Sequence, residues 1–150
     1  MFKFLKSKKG FTLVELMIVV VIMAILVAVA VPIYSAVTKN ARKKTCIGNQ
    51  REIISSVGNW LMLQDTYNIS GTFTTSGGSD APAWGTFSVT GVDGAETAIK
   101  ALFKTVPVCP DSAATITATI TAGTADTSAT ITTACAGGTD SANHVVPGVN

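Results

Sequence analysis

The strongest constraint in this sequence is a run of residues without a single charge, 16–38, entered past one carboxylate at Glu15 and preceded by Lys3, Lys6, Lys8 and Lys9. A helix over residues 11–38 is about 42 Å long at ~1.5 Å per residue, which exceeds the ~30 Å hydrocarbon core of a bilayer. Such a segment can span a membrane. An ionised side chain at the mouth of an apolar helix is costly without a counter-charge, so Glu15 asks for a partner. Another copy of the chain is the simplest one.

At 150 residues there is room for one modest domain beside a spanning or targeting segment. The net charge of +2 hides an asymmetry, because residues 52–150 carry only Lys100 and Lys104 against eight acids and are net −6. The distal part therefore offers no basic patch for nucleic acid. The remaining basic cluster, Lys39, Arg42, Lys43, Lys44 and Arg51, sits just beyond the apolar run and reads as a solvated helix face or a headgroup contact.

Pro32 lies inside the apolar run, where it removes one backbone donor and favours a kink rather than a stop. After the basic cluster the pattern becomes amphipathic. Cys46, Ile53, Val57, Trp60, Leu61 and Gln64 fall on one side, and Arg51, Glu52, Ser55 and Asn59 on the other. Residues 65–94 are rich in Gly, Ser, Thr and Asp and read as a connecting loop. A short helix is expected over residues 94–104, with Ala98, Ile99, Leu102 and Phe103 on one face and Pro107 beyond its end. Thr115-Ile116-Thr117-Ala118-Thr119-Ile120-Thr121 alternates strictly, and residues 128–133 nearly so, which predicts two antiparallel strands. Ile116, Ala118 and Ile120 should face the helix, with the threonines toward water or a neighbouring subunit; low-complexity disorder is the competing reading of the threonines.

Three readings of residues 1–38 compete: a removed secretory signal, a permanent anchor, and the leader plus assembly helix of a filament subunit. Ala28-Val29-Ala30 offers a small-residue secretory cleavage site, but that reading places Glu15 inside the apolar core of the signal. Thr12-Leu13-Val14-Glu15 fits a capping box at a helix start, with the carboxylate near the positive end of the helix dipole. Gly10 has no side chain, so a peptidase can approach its backbone closely.

The stretch Lys9-Gly10-Phe11-Thr12-Leu13-Val14-Glu15-Leu16, continued to Pro32 and Tyr34, resembles the processing site and first helix of type IV pilins and the related pseudopilins. The resemblance implies a leader of residues 1–10 cut after Gly10 by a prepilin peptidase, and a mature chain that begins with N-methylated Phe11. It also implies that Glu15, alongside Thr12, sets the register of assembly by pairing with the amino group of a neighbour's Phe11. By the same resemblance the subunit is held as a single pass in the cell membrane, handed to an inner-membrane assembly platform and built into a homo-oligomeric helical filament. That filament is an extracellular pilus, serving adhesion, motility or DNA uptake, or a periplasmic pseudopilus of a type II secretion system. A third possibility from another class is an anchored or secreted binding domain that does not polymerise.

Three cysteines leave one over if a disulfide forms. Cys109 and Cys135 are the expected pair, since one precedes the first strand and the other ends the second, and closing that loop contributes roughly 3 kcal/mol on the chain-entropy account. Cys46 on the helix face is expected to be a packed thiol, with pairings to either other cysteine open. His144 with the cysteines makes a weak zinc set lacking any C-x-x-C pair, and Asp126 or Asp140 are weak calcium ligands, so no metal or cofactor is expected. Asn68-Ile69-Ser70 matches a glycosylation acceptor. No nucleophile and acid stand at a diagnostic spacing from His144, so the chain is not read as an enzyme.

The expected fold is α+β. A long bent helix has a hydrophobic assembly half at 11–38 and an amphipathic half at 39–64, the latter packed on a small antiparallel sheet; a 65–94 αβ loop leads to a short helix, strands and tail over 95–150.

Overall fold

The computed structural model describes residues 10–78, 81–110, 114–125 and 127–136. In chain order these form α1 (Leu13–Met62), β1 (Ser70–Ser76), β2 (Ala83–Thr90), α2 (Ala95–Ala101), β3 (Thr115–Thr121) and β4 (Thr130–Ala136). The arrangement is the expected α+β one: a long N-terminal helix packed on an antiparallel sheet, here of four strands in the order β2-β1-β3-β4. The chain divides into two units, Met1–Thr38 and Lys39–Asn150.

In the first unit the helix presents apolar side chains on all sides. Exposure of its large hydrophobics runs from 50% at Val19 to 76% at Leu13, so this stretch of helix has no core of its own. It is the one candidate membrane span among the described residues. The helix runs on through Pro32, whose ring takes the place of the amide that would bond the Ala28 carbonyl. Ser35 Oγ donates to the Pro32 carbonyl at 2.9 Å, meeting one of the backbone groups near the proline.

The second unit has a core. Cys46, Gln50, Ile53, Val57, Trp60 and Leu61 form a buried stripe on α1, spaced by three or four residues as one helix face requires. They meet the inward residues of the sheet, Phe73, Ile116, Ala118, Ile120, Ile131 and Cys135. The strict alternation of β3 is reproduced as buried Ile116, Ala118 and Ile120 between less buried threonines. β4 begins and ends later than the alternation at 128–133 indicates, which carries Cys135 inside the strand, opposite Ile116.

The largest difference from the sequence reading lies in residues 65–94, where the expected loop holds a β-hairpin, β1 and β2. Two features hide it. β1 is built of Ser, Gly and Thr around one aromatic, so composition points to a loop. β2 carries one extra residue opposite Thr74: Phe73 pairs with Phe87 but Thr75 pairs with Trp84, and this bulge breaks the two-residue period. The extra residue has a packing consequence. It turns Trp84 and Phe87, three apart, to the same side, where both rings gather on Phe73 with centroids 6.1 and 5.1 Å away. Gly85 makes room for it, since a Cβ there would lie 2.2 Å from Thr74 Oγ1, and that hydroxyl accepts from the Thr86 amide at 2.9 Å.

The hairpin returns to α2 through Gly91, whose φ of +100° and close approach to the Asn68 carbonyl exclude a side chain. Helix α2 is short but placed as the periodicity indicates, with Ala95 and Ile99 buried and Phe103 beyond its end touching Trp84. From there the chain is strapped at two points. Thr75 Oγ1 on β1 donates to the Pro107 carbonyl at 2.7 Å, and Asn49 Nδ2 on α1 donates to the Val108 carbonyl at 2.6 Å. The next residue is Cys109.

Candidate processing and assembly site

The segment from Gly10 to Glu15 is built as its residue types require. Thr12 stands just ahead of α1 and Glu15 is the third helical residue, the two positions of a capping box. Its bonds are present in both directions: the Glu15 amide donates to Thr12 Oγ1 at 3.2 Å, and the Thr12 amide donates to Glu15 Oε2 at 2.8 Å. The Thr12 hydroxyl donates to the same Oε2, again at 2.8 Å. The carboxylate is thus held over the first turn, where the unpaired amides of the helix favour negative charge. Both of its bonds fall on Oε2, and among the described residues none bonds Oε1 of this exposed side chain. Gly10 has open space where a Cβ would be, and Phe11 is 85% exposed. The scissile position of the expected cut is therefore an accessible lead-in to a capped helix.

Apart from Gly10, the expected leader lies outside the described residues, as do Asp126, Asp140 and His144. Lys39, Arg42, Lys43, Lys44 and Arg51 are all exposed, in keeping with a solvated face. Asn68 is exposed just ahead of β1, while the Ile69 beside it is fully buried.

The second constellation is in the sheet-bearing unit. The sulfur atoms of Cys46, Cys109 and Cys135 lie within 4.8 Å of one another, all three residues being buried thiols. Spacing in the sequence singles out Cys109 and Cys135. The fold adds Cys46 on equal terms, because α1 places that residue in the same buried core as Cys109 and Cys135. The Cys135 thiol is held protonated well above the ordinary thiol range, first by its hydrogen bond with Cys46, then by burial and by its hydrogen bond with Cys109. Gln50 is the residue that sequence reading misses here. A glutamine in a helix reads as a solvent-facing position, yet this one is fully buried, donating through Nε2 to Cys46 Sγ at 3.4 Å and accepting at Oε1 from Thr133 Oγ1 at 3.1 Å. The only sequence signal was its place one turn after Cys46 on the apolar stripe.

Comparison with curated proteins and with solved structures gives no match. Residues 5–31 match the family model of the prokaryotic N-terminal methylation motif, a stretch that contains Gly10, Phe11, Thr12 and Glu15. What the chain carries at the head of α1 is therefore a type IV prepilin-like signal motif, set on an α+β fold.

Proposed function

We propose that this chain is the structural subunit of a type IV pilus filament, cut after Gly10, methylated on Phe11 and assembled through the first half of α1. The observation that carries the reading is the combination of an exposed, all-round apolar helix with a single carboxylate fixed in its first turn. An exposed apolar surface of this extent must be covered by lipid or by other apolar helices. Lipid serves before assembly. Packing of the same helices from many copies serves afterwards, and the sheet-bearing units form the outside of the filament.

Glu15 gives this bundling a register. Cutting after Gly10 creates an amine on Phe11, three bonds of chain before the Thr12 amide that Glu15 already holds. In an apolar bundle a neighbour's ammonium group and the Glu15 carboxylate neutralise one another, and only one axial offset between helices brings them together. Pro32 then marks where the helix yields as copies pack, because the Ala28 carbonyl lacks its usual amide donor.

The test has two parts. Mass spectrometry of the mature chain should find an N-terminus at methylated Phe11; an N-terminus at Met1 or Val31 overturns the processing step. Glu15→Leu should leave a membrane-held subunit at normal abundance and no filaments by electron microscopy. Filaments at wild-type level from that variant overturn the register step. Surface filaments, as against short periplasmic ones, separate a pilus from a pseudopilus.

A further inference from the structure

The three buried thiols are placed by three separate parts of the second unit. Cys46 is fixed by the α1 stripe, Cys135 by its β4 register opposite Ile116, and Cys109 by the strap that Thr75 and Asn49 hold through the two preceding carbonyls. Nothing in the local chain requires these three side chains to converge, yet their sulfurs fall within 4.8 Å of one another. A disulfide takes only two of them, and it draws its pair together to about 2.05 Å. A metal ion takes all three: at a metal–sulfur distance of ~2.3 Å, three sulfurs around one ion stand about 4.0 Å apart, which fits sulfurs that lie within 4.8 Å of one another.

One of the three sulfurs, that of Cys46, has a fixed N–H donor beside it, while the Cys135 thiol keeps its proton until an ion replaces it. Gln50 directs an amide N–H at Cys46 Sγ, and its orientation is fixed because Thr133 Oγ1 donates to its other end. All of these residues are buried: Gln50 is fully so and Thr133 is 6% exposed. An outer partner that donates to a ligand atom and is itself locked by a hydrogen bond is the usual support of a metal site.

We propose that Cys46, Cys109 and Cys135 form a three-sulfur site for one thiophilic d10 cation, Cu⁺ or Zn²⁺. Binding exchanges thiol protons for the ion, with no change of oxidation state and no other reactant. Three soft donors satisfy Cu⁺, while Zn²⁺ favours a fourth ligand, and the group of close metal-ligating side chains among the described residues contains three members. Cu⁺ is therefore expected to bind the more tightly. The ion ties α1, the 105–110 strap and β4 together at one point.

The full-length chain in detergent, fully reduced and free of oxygen, tests this with Cu⁺ supplied as its acetonitrile complex and, separately, with Zn²⁺. The expected result is one ion retained per chain after desalting, a higher thermal unfolding midpoint, and protection of all three thiols from alkylation in the folded protein beyond that of the metal-free chain. Cys46→Ser, Cys109→Ser and Cys135→Ser should each weaken binding at least tenfold, and Gln50→Leu by about tenfold with the ligands intact. Near-UV circular dichroism checks that each variant keeps the fold. The proposal is overturned if neither ion is retained by the wild-type chain, if retention survives the serine variants, or if non-reducing peptide mapping of the chain as isolated from cells finds two of the three cysteines bridged.

Discussion

Between residues 13 and 37 every side chain of α1 is exposed, whereas between 46 and 61 the same helix buries Cys46, Gln50, Ile53, Val57, Trp60 and Leu61. Backbone geometry does not separate the two stretches, since both are helical and joined without a break. Partners separate them. The later stretch has a narrow apolar stripe matched to four strands of its own chain, while the earlier one is apolar around its whole circumference and finds nothing among the described residues to cover it. An amphipathic stripe encodes a fold within the chain, and an all-round apolar helix encodes a medium or an assembly outside it.

The sharpest way to break this comparison is to place a charge at equivalent sites in each stretch. Val57 is fully buried, so Val57→Asp leaves an unpaired carboxylate in the core and costs about 3–5 kcal/mol or more, enough to unfold the sheet-bearing unit. Val27 is 58% exposed, and Val27→Asp should leave that unit's thermal unfolding unchanged while weakening membrane insertion by ~2.5–3.5 kcal/mol. Tryptophan fluorescence on heating and alkaline extraction of membranes read the two effects. Equal loss of folding from both substitutions would dissolve the distinction. A milder version trims side chains without adding charge: Ile53→Ala, in the core, should cost about 2–5 kcal/mol of unfolding free energy, while Ile22→Ala should leave it unchanged.

How far each region can be read from sequence follows from the same contrast. The apolar run and its capping pair are local features, so composition and a spacing of three residues reveal them, and Thr12 and Glu15 meet as that spacing indicates. β3 is equally legible, because its isoleucines and alanine face one partner surface without interruption. Legibility fails where the tertiary partner sets the rule. The bulge in β2 disguises a strand, the serines and threonines of β1 take their strand identity from neighbours on both sides, and Gln50 is buried because Cys46 and Thr133 supply its bonds. Cys46 joins the expected cysteine pair for the same reason: a helix position and a strand position 89 residues apart become neighbours only once the sheet exists.

The hidden hairpin has its own test, smaller in effect than the core substitutions. At Gly91 the backbone has φ of +100°, and a Cβ would lie 2.2 Å from the Asn68 carbonyl oxygen. Gly91→Ala should therefore cost roughly 1–3 kcal/mol, by strain and by pushing β2 away from the start of β1. Gly48, which has open space around it on α1, offers the control: Gly48→Ala should stabilise the helix by up to ~1 kcal/mol. A Gly91→Ala variant as stable as the parent, by thermal unfolding, would mean that the end of β2 does not pass this closely to Asn68 on its way to α2.

The smallest structural effect belongs to the first turn of α1, and there it separates two roles that one residue combines. Thr12→Ala removes the hydroxyl that accepts from the Glu15 amide and donates to Glu15 Oε2, so the helix start loses about 1 kcal/mol and frays while the carboxylate stays. Glu15→Gln does the reverse, because a glutamine side-chain oxygen can still accept from the Thr12 amide and keep the capping box while the charge is gone. If capping is what assembly needs, Thr12→Ala should reduce filament yield and Glu15→Gln should not. If charge pairing with a neighbour's Phe11 amine is what it needs, Glu15→Gln should abolish filaments even though amide exchange over residues 13–16 stays as slow as in the parent, and Thr12→Ala should lower their number only several-fold. The second pattern is the one expected here, since the ordered cap fixes where the carboxylate stands but only its charge can neutralise an amine inside an apolar bundle.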